Sequence, residues 1–181
     1  MGRARLYDEC GSQVALFEAA QAQARQSGKV LLVSFGAEWC VWCHVFDRFL
    51  AGEHTEVSVR HAEPEDRAYT DTRLNERPTS DPRGEAEALR DFAAQEFVLV
   101  HIDSNRAPGG YEVLERTGAA ARYPNELPFI FTVDGQGHFA AALEADGLQT
   151  RRDSEDWWRG YRRGPLLDAL RGMADAARGR S

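Results

Sequence analysis

The segment with the clearest chemical potential is SFGAEWCVWCHVF, residues 34–46, in which two cysteines are separated by two residues. Cys40 and Cys43 at this spacing can form a redox-active disulfide. Because His44 follows directly, the same letters match the attachment pattern of a c-type haem. With further ligands, the cysteines could instead bind zinc. The elements on either side of the motif have to distinguish these three chemistries.

The cysteine motif lies between a predicted buried strand and a predicted helix. VLLVSFG, residues 30–36, is a short apolar run of the kind that forms a strand buried on both faces. After the cysteines, apolar residues recur at the helical spacing of Val45, Phe46, Phe49 and Leu50. The two thiols then fall at a helix N-terminus, where backbone amides and the helix dipole stabilise a thiolate.

This context favours the redox pair over the two metal sites. Small haem-c domains are mostly helical, and attachment would use His44 as an axial ligand, whereas this motif follows a strand. Zinc needs four ligands, and adjacent Cys43 and His44 on a helix point about 100° apart. A dithiol needs only the two cysteines that are present. We therefore expect disulfide chemistry, with no metal and no cofactor other than the dithiol.

The rest of the chain alternates between predicted helices and strands. Residues 52–84 are polar, contain three prolines and offer only TEVSVR as a weak strand. They are predicted to be a long loop or insertion that contributes little to the core, with at most a short hairpin. The other predicted elements are a helix from the N-cap Ser12 to Ser27-Gly28, a helix at 84–96, a buried strand at 97–103, a short helix within 109–123, a hairpin around Asp134-Gly135 and a closing helix at 164–177.

The order of these elements predicts an α/β fold with helices on both faces of a mixed sheet. A length of 181 residues suits a single domain, with its core at about 12–50 and 85–180 and the insertion at 52–84. The net charge of −7 argues against a nucleic-acid or anionic-membrane partner, and no apolar run approaches the ~20 residues of a membrane span. The N-terminus lacks signal-peptide features, so the expected compartment is the cytoplasm, or the periplasm if a leader was removed.

Three segments together resemble the thioredoxin superfamily. VLLVSFGAEWCVWCH resembles its strand and active-site turn, FVLVHIDSNR its central strand ending in Asp, and LPFIFTVDGQG its later strand that begins at a cis-proline. The resemblance covers about residues 12–50 and 85–180. It implies a thioredoxin-like three-layer α/β/α sandwich with a polar insertion after the active-site helix. It also implies disulfide exchange with protein or small-thiol substrates, and recycling by a partner reductase or oxidase.

The resemblance also assigns roles to individual residues. Cys40 becomes the exposed nucleophile and Cys43 the buried resolving thiol. Trp39 becomes an aromatic lid beside the pair. Pro128, in a cis bond, becomes the residue packed against the sulfurs, and the backbone of Leu127 would pair with a bound substrate strand.

The sequence departs from thioredoxin itself at three places. Val41-Trp42 stands where thioredoxin has Gly-Pro between the cysteines. Ser34 stands where it has a buried Asp that moves protons, and Leu99 stands where it has a Lys. A proton acceptor would then have to come from Glu38, His44 or water.

Several other side chains allow a functional and a structural interpretation. We expect Trp42 to be an exposed aromatic that contacts substrate, with a packed lid as the alternative. His44 is expected on the helix surface, with an electrostatic effect on the thiolates as the alternative. Cys10 is expected to be idle near a frayed terminus, and His101 to be a satisfied buried histidine. Trp157, Trp158 and Tyr161 are predicted to form a near-helical cluster that packs in the core.

Two classes of function remain open on the sequence. The first is a thiol–disulfide oxidoreductase that works through Cys40 and Cys43. The alternative is a thioredoxin-fold binding or adaptor module without redox turnover, because a fold does not fix a function. Labelling the thiols with and without reductant distinguishes them, since only an active pair must cycle reversibly.

Overall fold

The structure of the protein is a computed structural model that describes residues 6–60, 73–79, 82–152 and 158–179. The helices in this part of the chain are α1 Gln13–Ser27, α2 Val41–Leu50, α3 Arg83–Glu96, α4 Gly110–Thr117 and α5 Arg163–Ala177, with a short 3-10 helix at Ala119–Arg122. The strands are β1 Val30–Gly36, β2 Thr55–Arg60, β3 Arg73–Pro78, β4 Phe97–Asp103, β5 Phe129–Val133, β6 Phe139–Ala142, β7 Gln149–Arg152 and β8 Trp158–Tyr161. None of these helices is long and apolar enough to cross a membrane.

The first helix begins and ends where the sequence predicts. The hydroxyl of Ser12 accepts a hydrogen bond from the Ala15 N–H at 3.3 Å, which satisfies one of the free amides at the start of α1. Gly28 closes the helix with φ 68°, a left-handed conformation that glycine adopts without steric cost. Both predicted caps are confirmed.

The central sheet is mixed and has the strand order β4-β1-β5-β6. Strand β1 runs parallel to β4, with Val33 opposite Val100, and antiparallel to β5, with Val33 opposite Phe131. All seven residues of β1 are buried, as its continuous apolar run predicts. The hairpin predicted around Asp134 is also present and joins β5 to β6.

Helices cover both faces of this sheet. On one face, Phe17 of α1 and Val113 of α4 pack in one cluster with Val33. On the other face, α2, α3 and α5 form a second cluster with Leu32, to which α2 contributes Phe46. Each large apolar side chain that is fully buried in this way contributes roughly 1.5–3 kcal/mol. The predicted three-layer α/β/α fold with a mixed central sheet is confirmed.

Strand β4 lies at the edge of the described sheet, whereas its resemblance to a central strand predicts the interior. Val98, Leu99 and His101 are accordingly only half-buried. An apolar run is compatible with an edge strand as well as with an interior strand. A helix that packs on an edge strand buries one face of that strand as effectively as it would in the interior of the sheet. The strand itself is predicted correctly and its place in the sheet is not.

A second, antiparallel sheet has the strand order β3-β2-β8-β7. Strands β2 and β3 form the short hairpin that the sequence allows, and Val57 of β2 pairs with Arg159 of β8. Val57 is completely buried in the same cluster as Phe49 and Tyr161. The prediction that 52–84 contributes little to the core is therefore wrong at β2. Residues 61–72 and 80–81 of that segment lie outside the described residues.

The aromatic segment near the C-terminus forms a strand, not a near-helical cluster. All four residues of β8, from Trp158 to Tyr161, are buried, and Tyr161 packs edge-on against Phe49 at a ring distance of 5.6 Å. Tyr161 thus packs in the core as predicted, but from a strand that also completes the second sheet. Trp157 lies outside the described residues.

Candidate active site

Cys40 and Cys43 form a disulfide at the junction between β1 and α2, with their Cα atoms 5.3 Å apart. Strand β1 ends at Gly36, and Cys40 is the N-cap of α2, where its sulfur accepts a hydrogen bond from the Cys43 N–H at 3.2 Å. The backbone at the start of the helix therefore faces the Cys40 sulfur. This is the position in which a helix N-terminus stabilises a thiolate.

The disulfide is covered on its inner side by a small apolar cluster. Cys43 is fully buried as expected, but Cys40 is only 4% exposed. The expectation of an exposed Cys40 is therefore wrong for the oxidised protein, because the disulfide packs in an apolar cluster with Tyr7 and Ala37. The half-buried side chains around this cluster are Leu6, Trp42 and Leu127. Within the described residues, no group of three or more His, Cys, Asp or Glu side chains could hold a metal ion.

The proline strand lies beside the disulfide as the resemblance implies. The Leu127–Pro128 peptide bond is cis, which confirms that prediction. Leu127 packs against the cysteine cluster, and Pro128 is half-buried directly before β5. Contact between the Pro128 ring and the sulfurs, and pairing of the Leu127 backbone with substrate, stay predictions.

The two tryptophans of the motif differ in exposure, and Trp42 takes the packed arrangement given as its alternative. Trp42 is half-buried and packs edge-on against Tyr161 at 5.5 Å, with the Arg159 guanidinium 6.0 Å from its ring. The expectation of an exposed Trp42 is wrong because the second sheet supplies a partner for it. Trp39, which directly precedes Cys40 in the chain, is 40% exposed.

His44 is buried in the structure, so the predicted surface position is wrong. Its Nε2 lies 2.6 Å from the Glu38 carbonyl oxygen and 4.0 Å from the Glu38 carboxylate. Burial lowers the pKa of His44 below its ordinary value, and the hydrogen bond to the Glu38 carbonyl opposes that shift. A neutral ring that donates its Nε2–H to the carbonyl satisfies this geometry.

Glu38 connects the motif to the N-terminal segment. Its side chain is buried, and its Oε2 accepts hydrogen bonds from the Leu6 and Tyr7 N–H groups, each at 2.9 Å. This carboxylate is thus engaged in holding residues 6–7 against the site. Sequence reasoning missed the contact, because no local pattern links residues that are more than thirty positions apart.

Tyr7 and Ser34 form a buried hydroxyl pair behind the cysteines. Their oxygens are 3.0 Å apart, Tyr7 is 1% exposed and Ser34 is fully buried. Burial raises the pKa of Tyr7, and the hydrogen bond to Ser34 only partly opposes this. The Tyr7 hydroxyl therefore keeps its proton over the whole range in which thiols titrate.

A further polar pair flanks Tyr7. His101 of β4 stacks edge-on against the Tyr7 ring at 5.2 Å, and its Nε2 lies 3.2 Å from Asp47 Oδ1 without good hydrogen-bond alignment. His101 is half-buried, whereas the sequence predicts a buried one. Cys10 is a free, exposed cysteine. Its expected idleness stays a prediction.

The segment that contains the cysteine motif matches a known protein family. Residues 13–59, which contain α1, β1 and α2, match the model of a family described as thioredoxin-like. No match was found among curated proteins. Among solved structures, the chain is similar to a disulphide isomerase from Xylella fastidiosa Temecula1, at 17% sequence identity and a TM-score of 0.49, over 97% of this chain and 93% of that chain. The family match confirms the resemblance to thioredoxin-like proteins over residues 13–59, the segment that carries the cysteine pair.

Proposed function

We propose that this protein is a thiol–disulfide oxidoreductase that exchanges disulfides with protein or small-thiol substrates through Cys40-Val41-Trp42-Cys43. The observation that carries the proposal is the disulfide at the N-terminus of α2, in which the Cys43 N–H donates to the Cys40 sulfur. The thioredoxin-like family match over the same segment supports it. The dithiol itself is the redox group.

In the reduced protein, Cys40 is the thiolate that attacks a substrate disulfide. The Cys43 N–H and the helix N-terminus favour its charged form. Attack forms a mixed disulfide and releases one substrate thiolate. Cys43 then attacks the Cys40 sulfur, releases the second thiolate and closes the Cys40–Cys43 bond. A partner reductase or oxidase resets the pair, and the exposed Trp39 is the aromatic surface offered to substrate.

Trapping of the mixed disulfide tests these roles. Cys43→Ser is expected to accumulate disulfide-linked complexes between Cys40 and substrate proteins, because the resolving thiol is missing. The matched variant Cys40→Ser should accumulate none. Both are made with Cys10→Ser, since Cys10 is exposed and would otherwise contribute background. Trapping by Cys40→Ser, or by neither variant, would contradict the assignment.

The direction of electron flow is an equilibrium property of the pair. Measurement of the Cys40/Cys43 reduction potential against glutathione assigns it. A potential of about −270 mV would indicate a reductase, and a potential of about −120 mV would indicate a disulfide donor.

The alternative is an adaptor module without redox turnover, and the burial of both sulfurs in the oxidised protein favours it. A disulfide that substrates cannot reach would be structural. Quantitative labelling of the thiols after cycles of reduction and oxidation separates the two functions. A pair that cycles fully and reversibly supports the oxidoreductase, and a pair that resists reduction supports the adaptor.

We further propose that the protein works in the cytoplasm. The exposed, unpaired thiol of Cys10 supports this, since such a thiol persists more easily in a reducing compartment. Fractionation of cells that express the native chain, with detection in the periplasmic fraction as the contrary result, tests it.

A further inference from the structure

Tyr7 is distant in sequence from Gly36 and Cys43 but meets them behind the disulfide. Gly36 ends β1, and a Cβ atom placed on it would overlap both the Tyr7 hydroxyl and the Cys43 sulfur. The hydroxyl and the sulfur therefore border the same small space, which only a glycine leaves open.

Tyr7 is held in this position from several sides. Its backbone N–H is bound by the Glu38 carboxylate at 2.9 Å, and its ring stacks edge-on against His101. Its oxygen lies 3.0 Å from Ser34 Oγ. With both ends held and the residue 1% exposed, the hydroxyl stays at the space that it shares with the Cys43 sulfur, and its hydrogen can rotate about the C–O bond.

We propose that the Tyr7 hydroxyl donates a hydrogen bond to the Cys43 thiolate while the mixed disulfide is resolved, which makes Tyr7 a catalytic residue of the disulfide exchange. This inference rests on the proposed oxidoreductase function. Ser34 is the positioning residue, because its hydroxyl can donate to Tyr7 Oη and leave the hydrogen of Tyr7 directed at the sulfur.

The step balances without any further reactant. The Cys43 thiol gives its proton to solvent, and its thiolate attacks the Cys40 sulfur. The Cys40–Cys43 bond forms as the bond between Cys40 and the substrate sulfur breaks, and the departing thiolate takes a proton from solvent. Tyr7 keeps its own proton throughout and contributes a hydrogen bond to the charged sulfur. Such a bond is worth more than one to a neutral thiol.

Other ionisable groups interact electrostatically with Tyr7 or with one another near it, and they influence the pH dependence of the exchange. They are Glu38 before α2, His44 and Asp47 on α2, and His101 and Asp103 on β4. All of them are retained when Tyr7 is replaced by Phe. A difference in pH profile between the two proteins therefore isolates the hydroxyl.

The test uses the aromatic disulfide dithiobis(nitrobenzoate) with reduced protein that carries Cys10→Ser. Attack by Cys40 releases a first coloured thiolate, and attack by Cys43 on Cys40 releases a second. Tyr7→Phe is expected to slow the second release at least about tenfold near neutral pH and to move the midpoint of its pH profile upward. The first release should be unchanged. Tyr111→Phe, on a ring that is 55% exposed, is the matched control and should alter neither step.

The outcomes separate this inference from the proposed function. If the unsubstituted protein releases no second thiolate, the oxidoreductase proposal fails. If it does and Tyr7→Phe releases it at the same rate with the same pH profile, the role of Tyr7 is overturned. Should Tyr7→Phe not fold cooperatively, Ser34→Ala replaces it in the test. That variant should slow the second release about threefold, and an unchanged rate would equally overturn the inference.

Discussion

Gly36 is the last residue of β1, and its missing side chain makes room for the Tyr7 hydroxyl and the Cys43 sulfur. Gly36→Ala should lower the free energy of unfolding by about 1–3 kcal/mol, because a methyl group would force these packed atoms apart. Denaturant unfolding of the oxidised protein measures the change.

Gly172→Ala is the matched control for that substitution. Gly172 lies inside α5, and beyond the local backbone of that helix an added Cβ would meet no atom within 4 Å. Alanine there should raise stability by about 0.5–1 kcal/mol, since it lowers the entropy cost of the helix. A Gly36→Ala protein as stable as the parent would show that the space behind the cysteines is not tightly filled.

The buried His44 should make stability depend on pH in a defined direction. Burial lowers its pKa in the folded protein, so the unfolded chain, with a pKa near 6.5, binds a proton more readily. Acidification through about pH 6.5 therefore favours the unfolded state, and this part of the stability is lost as the pH falls. His44→Gln, which keeps an N–H donor but does not titrate, should lose less stability between about pH 7 and pH 5. Urea unfolding at both values checks this, and equal losses would contradict it.

At the scale of residues, the sequence predicts those whose signal is local. Cys40 and Cys43 are recognisable because the strand, the spacing and the helix are contiguous. Tyr7, Glu38 and Ser34 are not recognisable together, because their hydrogen bonds join segments about thirty residues apart. The site therefore contains buried hydrogen bonds behind the cysteines that no local sequence motif predicts.

At the scale of elements, β2 is the clearest case of a strand that contributes more to the core than its sequence suggests. Val57 is fully buried, so Val57→Ala should cost roughly 2 kcal/mol of unfolding free energy. Val98→Ala on the edge strand β4 is the matched control, and its half-buried side chain should cost less. Denaturant titration of both variants measures the difference. Equal losses would mean that the hairpin is not part of the core.

Regular patterns explain which elements are predictable. The caps of α1, the apolar run of β1 and the turn after β5 are each read from neighbouring residues, and all three are confirmed. Strand β2 lies in a polar stretch of the sequence, and the aromatic residues of β8 suit a helix as well as a strand. Their pairing through Val57 and Arg159 spans about a hundred residues, and a long-range pairing of this kind leaves no periodic signal.

At the scale of the whole molecule, the two sheets share one apolar cluster. Tyr161 of the second sheet packs against Phe46 and Phe49 of α2, in the cluster that also contains Leu32 of the central sheet. We therefore expect one cooperative unfolding transition, seen at the same denaturant concentration by far-UV circular dichroism and by tryptophan emission. Tyr161→Ala should lower stability by about 3–5 kcal/mol and move both signals together.

Tyr111→Ala serves as the control for Tyr161→Ala, because its ring is 55% exposed and should cost less than about 1 kcal/mol. Two separate transitions in the parent protein, or a shift of only one signal in Tyr161→Ala, would show that the second sheet folds on its own.

The placement of the tryptophans has an optical consequence. Trp39 precedes Cys40 in the chain, and the ring of Trp42, between the cysteines, packs against the cluster that contains the disulfide, a bond that can accept an electron from an excited indole. One ring is exposed, and the other is held edge-on against Tyr161. Breaking the sulfur–sulfur bond removes the quencher, so emission should brighten on reduction and dim again on oxidation. The oxidation state of the cysteine pair can then be followed by the intrinsic tryptophan fluorescence of the protein, without any added label.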